Sequence, residues 1–316
     1  MKEMFFDIEV IMLNKNASLE NGCVIAVGGF DGVHLGHRAM LSALTEEAKR
    51  QKKPAAVFSF ALSDRPKGKT ALLASEDEKR RLLAESGVDA VYVASFSQIK
   101  NMTAEDFVLE LLYKRFKAAS VICGYDFRFG SGRKGDFLLI KSLLSDKGVS
   151  VVTPDAVTEN GSPVSSTAIR TFISEGRIEQ ANKLLGRRFG FTAEIIKGRQ
   201  LGRKLGFPTA NQKYPPLLVS ARFGVYAVVC SLCGKEYGGV ANIGIKPTVD
   251  NCGEVLCEVY LFGYNGDCYG EEMKTELVSF IRPEQKFDSL DLLRAQVDSD
   301  KETAKKLLKE YGYNEI

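Results

Sequence analysis

The sequence predicts an α/β doubly wound parallel sheet followed by an antiparallel β-barrel domain that closes with a C-terminal helix. Three observations lead there. Short β-branched apolar runs alternate with helical patterns through the first half of the chain. From Phe189 the texture changes to strand-like segments broken by Gly, Asn and Asp turns. Only the stretch 289–310 returns to helix. A length of 316 residues suits two domains, each large enough to bury a core. The boundary is expected near 183–188, dividing the chain into 1–185 and 186–316.

The elements follow in order. Val24-Ile-Ala-Val-Gly-Gly-Phe30 reads as the first strand, and a helix over 36–51 carries Met40, Leu41, Leu44 and Ala48 at helical spacing. Strands are expected at 55–60 and 89–95. Between them Ser75-Glu-Asp-Glu78 resembles a capping box, opening a helix that Gly87 ends. Thr103-Ala-Glu-Asp106 opens another helix, through about Phe116. A strand at 119–125, a helix at 136–146 and a strand at 149–155 make five strands in all. Two short helices, 167–175 and 178–185, end this half. The barrel strands are expected within 191–198, 224–233, 237–244, 254–264 and 273–281.

Composition excludes several classes. Hydrophobic residues make up 45% of the chain and charged ones 26%, with 43 basic against 40 acidic. That is too apolar for disorder, and a net charge of +3 does not by itself point to nucleic acid or membrane. The start has acidic residues and no apolar run of signal-peptide length, so a cytoplasmic protein is expected. Seven cysteines are irregularly spaced. Cys230 and Cys233 form a C-x-x-C, which could be a redox pair or half a zinc site, but no second pair or histidine follows it. All seven are read as reduced thiols. The chain has only two histidines, His34 and His37, which excludes a three-histidine metal site and confines imidazole chemistry to one place.

That place is Gly28-Gly-Phe-Asp-Gly-Val-His-Leu-Gly-His37, where the first strand ends and the first helix begins. Its glycines let backbone approach a ligand, and the helix N-terminus offers free N–H groups to phosphate. In the second half, Gly198-Arg-Gln-Leu-Gly-Arg-Lys-Leu-Gly-Phe-Pro-Thr-Ala-Asn211 spaces three glycines among Arg199, Arg203 and Lys204. By itself this is either a phosphate loop or a solvated basic turn. Gly130-Ser-Gly-Arg-Lys-Gly135 fits a dinucleotide fingerprint. It follows the fourth strand and not the first, so it is read as a basic loop over nucleotide phosphates.

With these motifs, and with Gly124-Tyr-Asp-Phe-Arg-Phe-Gly130 and Ser165-Ser-Thr-Ala-Ile-Arg170, the sequence resembles the nucleotidylyltransferase superfamily and its H-x-G-H signature. More narrowly, nearly the whole chain resembles the bacterial bifunctional riboflavin kinase/FMN adenylyltransferase (FAD synthetase) family. The resemblance implies an FMN adenylyltransferase domain at 1–185 and a riboflavin kinase domain at 186–316. For the first it implies His34 and His37 as catalytic donors at the triphosphate. Gly28, Phe30, Asp31, Gly36, Asp126, Ser165, Ser166, Thr167 and Arg170 would bind nucleotide or flavin. For the second it implies Glu258 as the base, with Gly198, Gly202, Lys204, Gly206, Phe207, Pro208, Thr209, Asn211 and Arg282 around the substrates. Thr209 and Asn211 would hold Mg²⁺. Substrates would be riboflavin, FMN and ATP, with FMN and FAD as products and no nucleic-acid or membrane partner.

Two departures stand out. The family's aromatic-acid-Pro-His-Pro loop is replaced by Phe58-Ser-Phe-Ala-Leu-Ser-Asp-Arg-Pro66, which bears on the hold on FMN more than on ATP. Lys246 stands where arginine is usual. A riboflavin kinase with a weakened adenylyltransferase domain, and a non-catalytic flavin- or RNA-binding regulator, stay open as alternatives.

Overall fold

The computed structural model describes residues 8–12, 18–60, 71–198, 206–246 and 254–313. Two compact units divide the chain. One comprises Met1–Thr70 with Glu76–Ser165, and the other Ala71–Ser75 with Ser166–Ile316.

The first unit is built on a six-stranded sheet in the order β1-β4-β3-β2-β5-β6. Its strands are β1 (Ile8–Met12), β2 (Val24–Val27), β3 (Ala55–Phe60), β4 (Ala90–Ala94), β5 (Ser120–Cys123) and β6 (Ser150–Val152). The five expected strands, β2 to β6, run parallel. All four residues of β2 are buried, as a central strand with both faces covered requires. Alternation sends Ile25 and Val27 into one core, with Phe58, Tyr92, Phe107 and Phe116. Val24 and Ala26 enter the other, with Phe30, Leu41, Leu44 and Leu83. Helices α1 (Leu35–Gln51), α2 (Glu76–Glu85) and α3 flank the sheet, followed by α4 (Phe137–Leu144).

Two features differ from the sequence expectation. β1, not expected, adds an antiparallel edge to β4. Its Val10 and Met12 are exposed, so pairing and not burial holds it. Helix α3 begins at Ala104–Asp106, where the Thr103 hydroxyl accepts from the N–H of Asp106 at 3.0 Å. It then widens into a π-helical stretch, Phe107–Arg115.

A short antiparallel ribbon, β7 (Thr158–Glu159) and β8 (Ser162–Pro163), lies near the end of the first unit, and the second begins with α5 (Ser166–Glu175) and α6 (Ile178–Leu185). A closed barrel follows in the order β10-β13-β12-β11-β14-β9. Its strands are β9 (Phe189–Ile196), β10 (Ala210–Lys213), β11 (Gly224–Leu232), β12 (Lys235–Lys246), β13 (Glu254–Leu261) and β14 (Glu272–Pro283). β10, missed in sequence because Ala-Asn-Gln-Lys is polar, forms through its partners β9 and β13. Its fully buried Gln212 donates to the carbonyls of Ala193 at 2.7 Å and Met273 at 2.6 Å. The Thr275 hydroxyl donates to its amide oxygen at 2.6 Å, so the group is satisfied inside the barrel. Cys230 is buried there too, and burial pushes its thiol up to about 12, whereas Cys233 lies exposed in the hairpin turn.

Helix α7 (Leu290–Glu310) packs Ala304 and Leu308 on Val225, Ala227, Val229 and Val278 of the barrel's outer face. A buried ion pair pins it. Arg282 Nε lies 2.9 Å from Asp300 Oδ1, and its Nη2 lies 2.7 Å from Oδ2. Removing one partner of such a pair strands the other charge. Asp300→Ala is therefore expected to destabilise the barrel unit by about 3 kcal/mol. Hydrogen exchange checks this as lost amide protection in β11 and β14 with β2 and β5 unchanged.

Candidate active sites

In the first unit the chain order reverses between β2 and β5, which are neighbours in the sheet. The crevice at the carboxyl ends of those strands is where such sheets bind ligands. Val27 ends β2 directly beside Cys123 of β5, so the loops beginning at Gly28 and Gly124 emerge together. The glycine-histidine motif is therefore in the expected place.

The backbone after β2 is unusual. Gly28 donates to the carbonyl of Phe58 at 3.1 Å, and the chain then turns through Phe30 (φ 49°), Gly32 (φ 77°) and Val33 (φ 41°). A left-handed β-branched residue is strained, costing on the order of 1–3 kcal/mol. Phe30 and Val33 are fully buried, and Asp31 is buried between them. The turn delivers His34 to the N-cap of α1, where its Nδ1 accepts the N–H of His37 at 3.3 Å. With Nδ1 occupied as acceptor, neutral His34 carries its proton on Nε2.

His37 stacks on His34, with 3.7 Å between ring centroids and 17° between planes. Gly36 leaves room for this stack. A Cβ would lie 3.3 Å from the His34 ring and 3.4 Å from the Val164 carbonyl oxygen. His37 Nδ1 is buried with no hydrogen-bond partner. Burial, then neighbouring His34, then Lys79 hold its pKa well below the usual imidazole value. It is a neutral group at ordinary pH, offering a hydrogen bond and not a charge.

Asp126 sits exposed in the turn after β5, where Phe127 donates to the Gly124 carbonyl at 3.1 Å. Ser165 ends the first unit. Ser166, Thr167 and Arg170 lie on α5 in the second, where Arg170 Nε donates to the Ala71 carbonyl at 2.5 Å. The fingerprint at 130–135 forms a tight turn bridged by Phe129 and Gly135, with Arg133 and Lys134 exposed. Ala61–Pro66 of the substituted loop lie outside the described residues.

The second unit holds a cavity of about 480 Å³, lined by Gly198, Pro208, Thr209, Ala210, Asn211, Val259, Leu261 and the loop Tyr264–Tyr269. Gly202 and Lys204 lie outside the described residues. Gly206 has φ 87° and Phe207 is buried, with the Lys301 ammonium 5.6 Å from its ring. Asn211 is buried; its Nδ2 donates to the Thr209 carbonyl at 3.2 Å, and its Oδ1 has no partner. Gly198 makes room for it, since a Cβ there would sit 2.7 Å from that amide nitrogen. Thr209 and Asn211 both line the cavity, and a hydroxyl and an amide oxygen are hard-oxygen donors of the kind Mg²⁺ takes.

Glu258 of β13 is directly opposite Asn211 of β10 and Asn242 of β12, so the three share a face. It is half-buried and not among the cavity-lining residues. Arg282, expected near a ligand, pairs with Asp300, with the Phe287 ring 5.8 Å from its guanidinium. The Tyr264–Tyr269 loop went unassigned in sequence, although its Gly-Tyr-Asn-Gly-Asp run beside Glu258 was the available signal.

Both units correspond to known nucleotide-using transferase domains. Residues 16–168 match the FAD synthetase family model and residues 185–308 the riboflavin kinase model. The chain belongs to the bifunctional riboflavin kinase/FMN adenylyltransferase family. It is 40% identical over 304 residues to that protein of Escherichia coli K12, covering 92% of this chain and 95% of that one. The Haemophilus influenzae protein is 35% identical over 298 residues, covering 92% and 96%. A crystal structure from Streptococcus pneumoniae, described as a macrolide-efflux protein, superposes with a TM-score of 0.83 at 29% identity, over 92% of this chain and 96% of that one. No helix among the described residues here is long and apolar enough to cross a membrane.

His37 gives a pH prediction. Below about pH 6.5 the unfolded chain binds a proton that folded His37 resists. Stability of the first unit should therefore fall as pH drops below that value. Imidazole ¹⁵N spectra, with only two histidines to resolve, should show one ring still neutral well below it.

Proposed function

We propose that residues 1–185 form an FMN adenylyltransferase and residues 186–316 a riboflavin kinase. Together they make FAD from riboflavin and ATP in two steps at separate sites, in the cytoplasm. The observation that carries this reading is a buried polar atom without a hydrogen-bond partner at each candidate site, His37 Nδ1 and Asn211 Oδ1. A protein buries such an atom at a cost of about 1–3 kcal/mol unless a ligand satisfies it.

In the kinase step the ribityl 5′-hydroxyl of riboflavin attacks the γ-phosphorus of ATP, giving FMN and ADP. The nucleophile is a neutral alcohol, so its proton must leave, and Glu258 accepts it. Thr209 and Asn211 would hold Mg²⁺, which when bound neutralises charge on the phosphates. Gly198, Gly206, Phe207 and Pro208 shape the approach, with Gly202 and Lys204 supplying the rest of the loop.

In the adenylyl step a phosphate oxygen of FMN attacks the α-phosphorus of ATP, and pyrophosphate leaves. That nucleophile is already an anion, so no base is needed. Neutral imidazoles serve as donors to the charge that builds on the phosphates, His34 through Nε2–H and His37 through its unsatisfied side. Phosphate-binding roles for Ser165, Ser166, Thr167 and Arg170, and a nucleotide or flavin role for Asp126, rest on the motifs they belong to.

Incubation with riboflavin and Mg-ATP, followed by chromatography, should yield FMN and then FAD; absence of both products overturns the proposal. Glu258→Ala should abolish FMN formation and leave FMN-to-FAD conversion intact. His34→Ala should do the reverse, lowering adenylyl transfer by about 10²–10³-fold, the size expected for a lost transition-state donor.

A further inference from the structure

We propose that Lys79 is a positioning residue for adenylyl transfer, acting through Ser59 on the Gly28–His37 turn. The inference rests on the adenylyltransferase reading of the first unit.

Lys79 lies on α2, on the side that faces the sheet, and only 3% of it is exposed. A lysine is almost never buried to that degree without a partner or a task, because its ammonium gives up its hydration. Its Nζ donates to the hydroxyl of Ser59 at 2.7 Å. Ser59, fully buried near the end of β3, donates in turn to the carbonyl oxygen of Gly29 at 3.1 Å. The single hydroxyl proton is committed to Gly29, and the oxygen lone pairs accept from the ammonium, so the chain has one direction. In a low-dielectric interior a charged donor at its head polarises the bonds behind it.

The end of this chain is the peptide between Gly29 and Phe30, the first of the left-handed turn. With that carbonyl drawn inward to Ser59, the N–H across the same planar trans peptide points the opposite way. A carbonyl left to rotate outward would put a negative dipole end at the mouth of a phosphate site. A Cβ built on Gly29 would meet no atom within 4 Å, so the core holds this peptide only from its Phe30 side and the Ser59 hydrogen bond holds it at Gly29. The same ammonium contributes, behind burial and His34, to keeping His37 neutral. Lys79 thus touches both ends of the motif, the peptide at Gly29 through Ser59 and the imidazole at His37 through space, without lying on it.

The test uses the full chain, whose riboflavin kinase activity reports on the rest of the molecule. Lys79→Met keeps the length of the side chain and removes the charge; Ser59→Ala removes the relay and keeps the charge. Lys79→Met should lower kcat for FMN adenylylation about 100-fold. KM for ATP and FMN should change far less, and riboflavin phosphorylation should be unaltered. Ser59→Ala should lower the same kcat by a smaller factor. The double variant should be no worse than Lys79→Met alone, because both changes break one chain. Imidazole ¹⁵N titration should show the lower histidine midpoint moving upward in Lys79→Met and staying put in Ser59→Ala. Wild-type kcat in Lys79→Met, or losses that multiply in the double variant, would overturn the proposal. If Lys79→Met loses amide protection in β2 and β5, Ser59→Ala decides, and wild-type kcat there overturns it. A wild-type chain that makes no FAD from FMN sinks the adenylyltransferase reading itself, which is a separate outcome.

Discussion

The first unit depends on a stretch of backbone that L-residues avoid. Phe30 and Val33 both have positive φ, on either side of Gly32, in the turn between β2 and α1. Each such residue costs on the order of 1–3 kcal/mol, and a side chain the size of Val or Phe returns about 1.5–3 kcal/mol on burial. Both side chains are fully buried. The turn is therefore held by the core beneath it. It can be strained at the surface because Phe30 and Val33 pack with Leu41, Leu44 and Leu83. That constraint places His34 at the helix N-cap, directs its Nδ1 into the helix and stacks His37 upon it. Core, turn, cap and imidazole form one causal sequence.

The barrel solves a different chemical problem with different groups. An anionic phosphate needs donors and no base, the part proposed for the two imidazoles. An alcohol must lose a proton, and the unit that would handle it contains no histidine at all. It offers a carboxylate, Glu258, in register with the amides of Asn211 and Asn242 across three neighbouring strands. Such a row is a product of barrel closure. Asn211 and Glu258 are 47 positions apart in sequence, and only the β10–β13 pairing makes them neighbours.

What could be read in advance follows from this difference. The adenylyl motif is continuous, because strand end, turn and helix start form a single local unit; glycine spacing and the histidine count located it. β2 to β5 were legible for the same reason, as buried parallel strands are continuous apolar runs, and the half-buried edge strand β6 by its paired valines. β10 was not, because Asn211 and Gln212 are polar and their strand exists through β9 and β13. β1 was not, because an edge strand on β4 needs no apolar face. Lys79 was the least legible. In Glu-Asp-Glu-Lys-Arg-Arg it looks like one more charge on a solvated helix, yet its neighbours Arg80 and Arg81 are turned out and it is turned in.

Arg282 shows why a residue's chemistry alone does not assign it. An arginine near the end of β14 is well suited to hold phosphate, and the motif suggested as much. Here its guanidinium is taken up by both oxygens of Asp300, which also accepts from Gln296 at 2.9 Å. Asp300 is 3% exposed, so this pair is sealed by the helix that carries it. A ligand that met Arg282 would find a guanidinium whose charge Asp300 already balances. Asn211 is the opposite case: a modest amide, overlooked by any ranking of reactive side chains, whose oxygen is buried and unmet. Between a strong group already satisfied and a weak one left unsatisfied, the second is the better guide to where a substrate or its metal will sit.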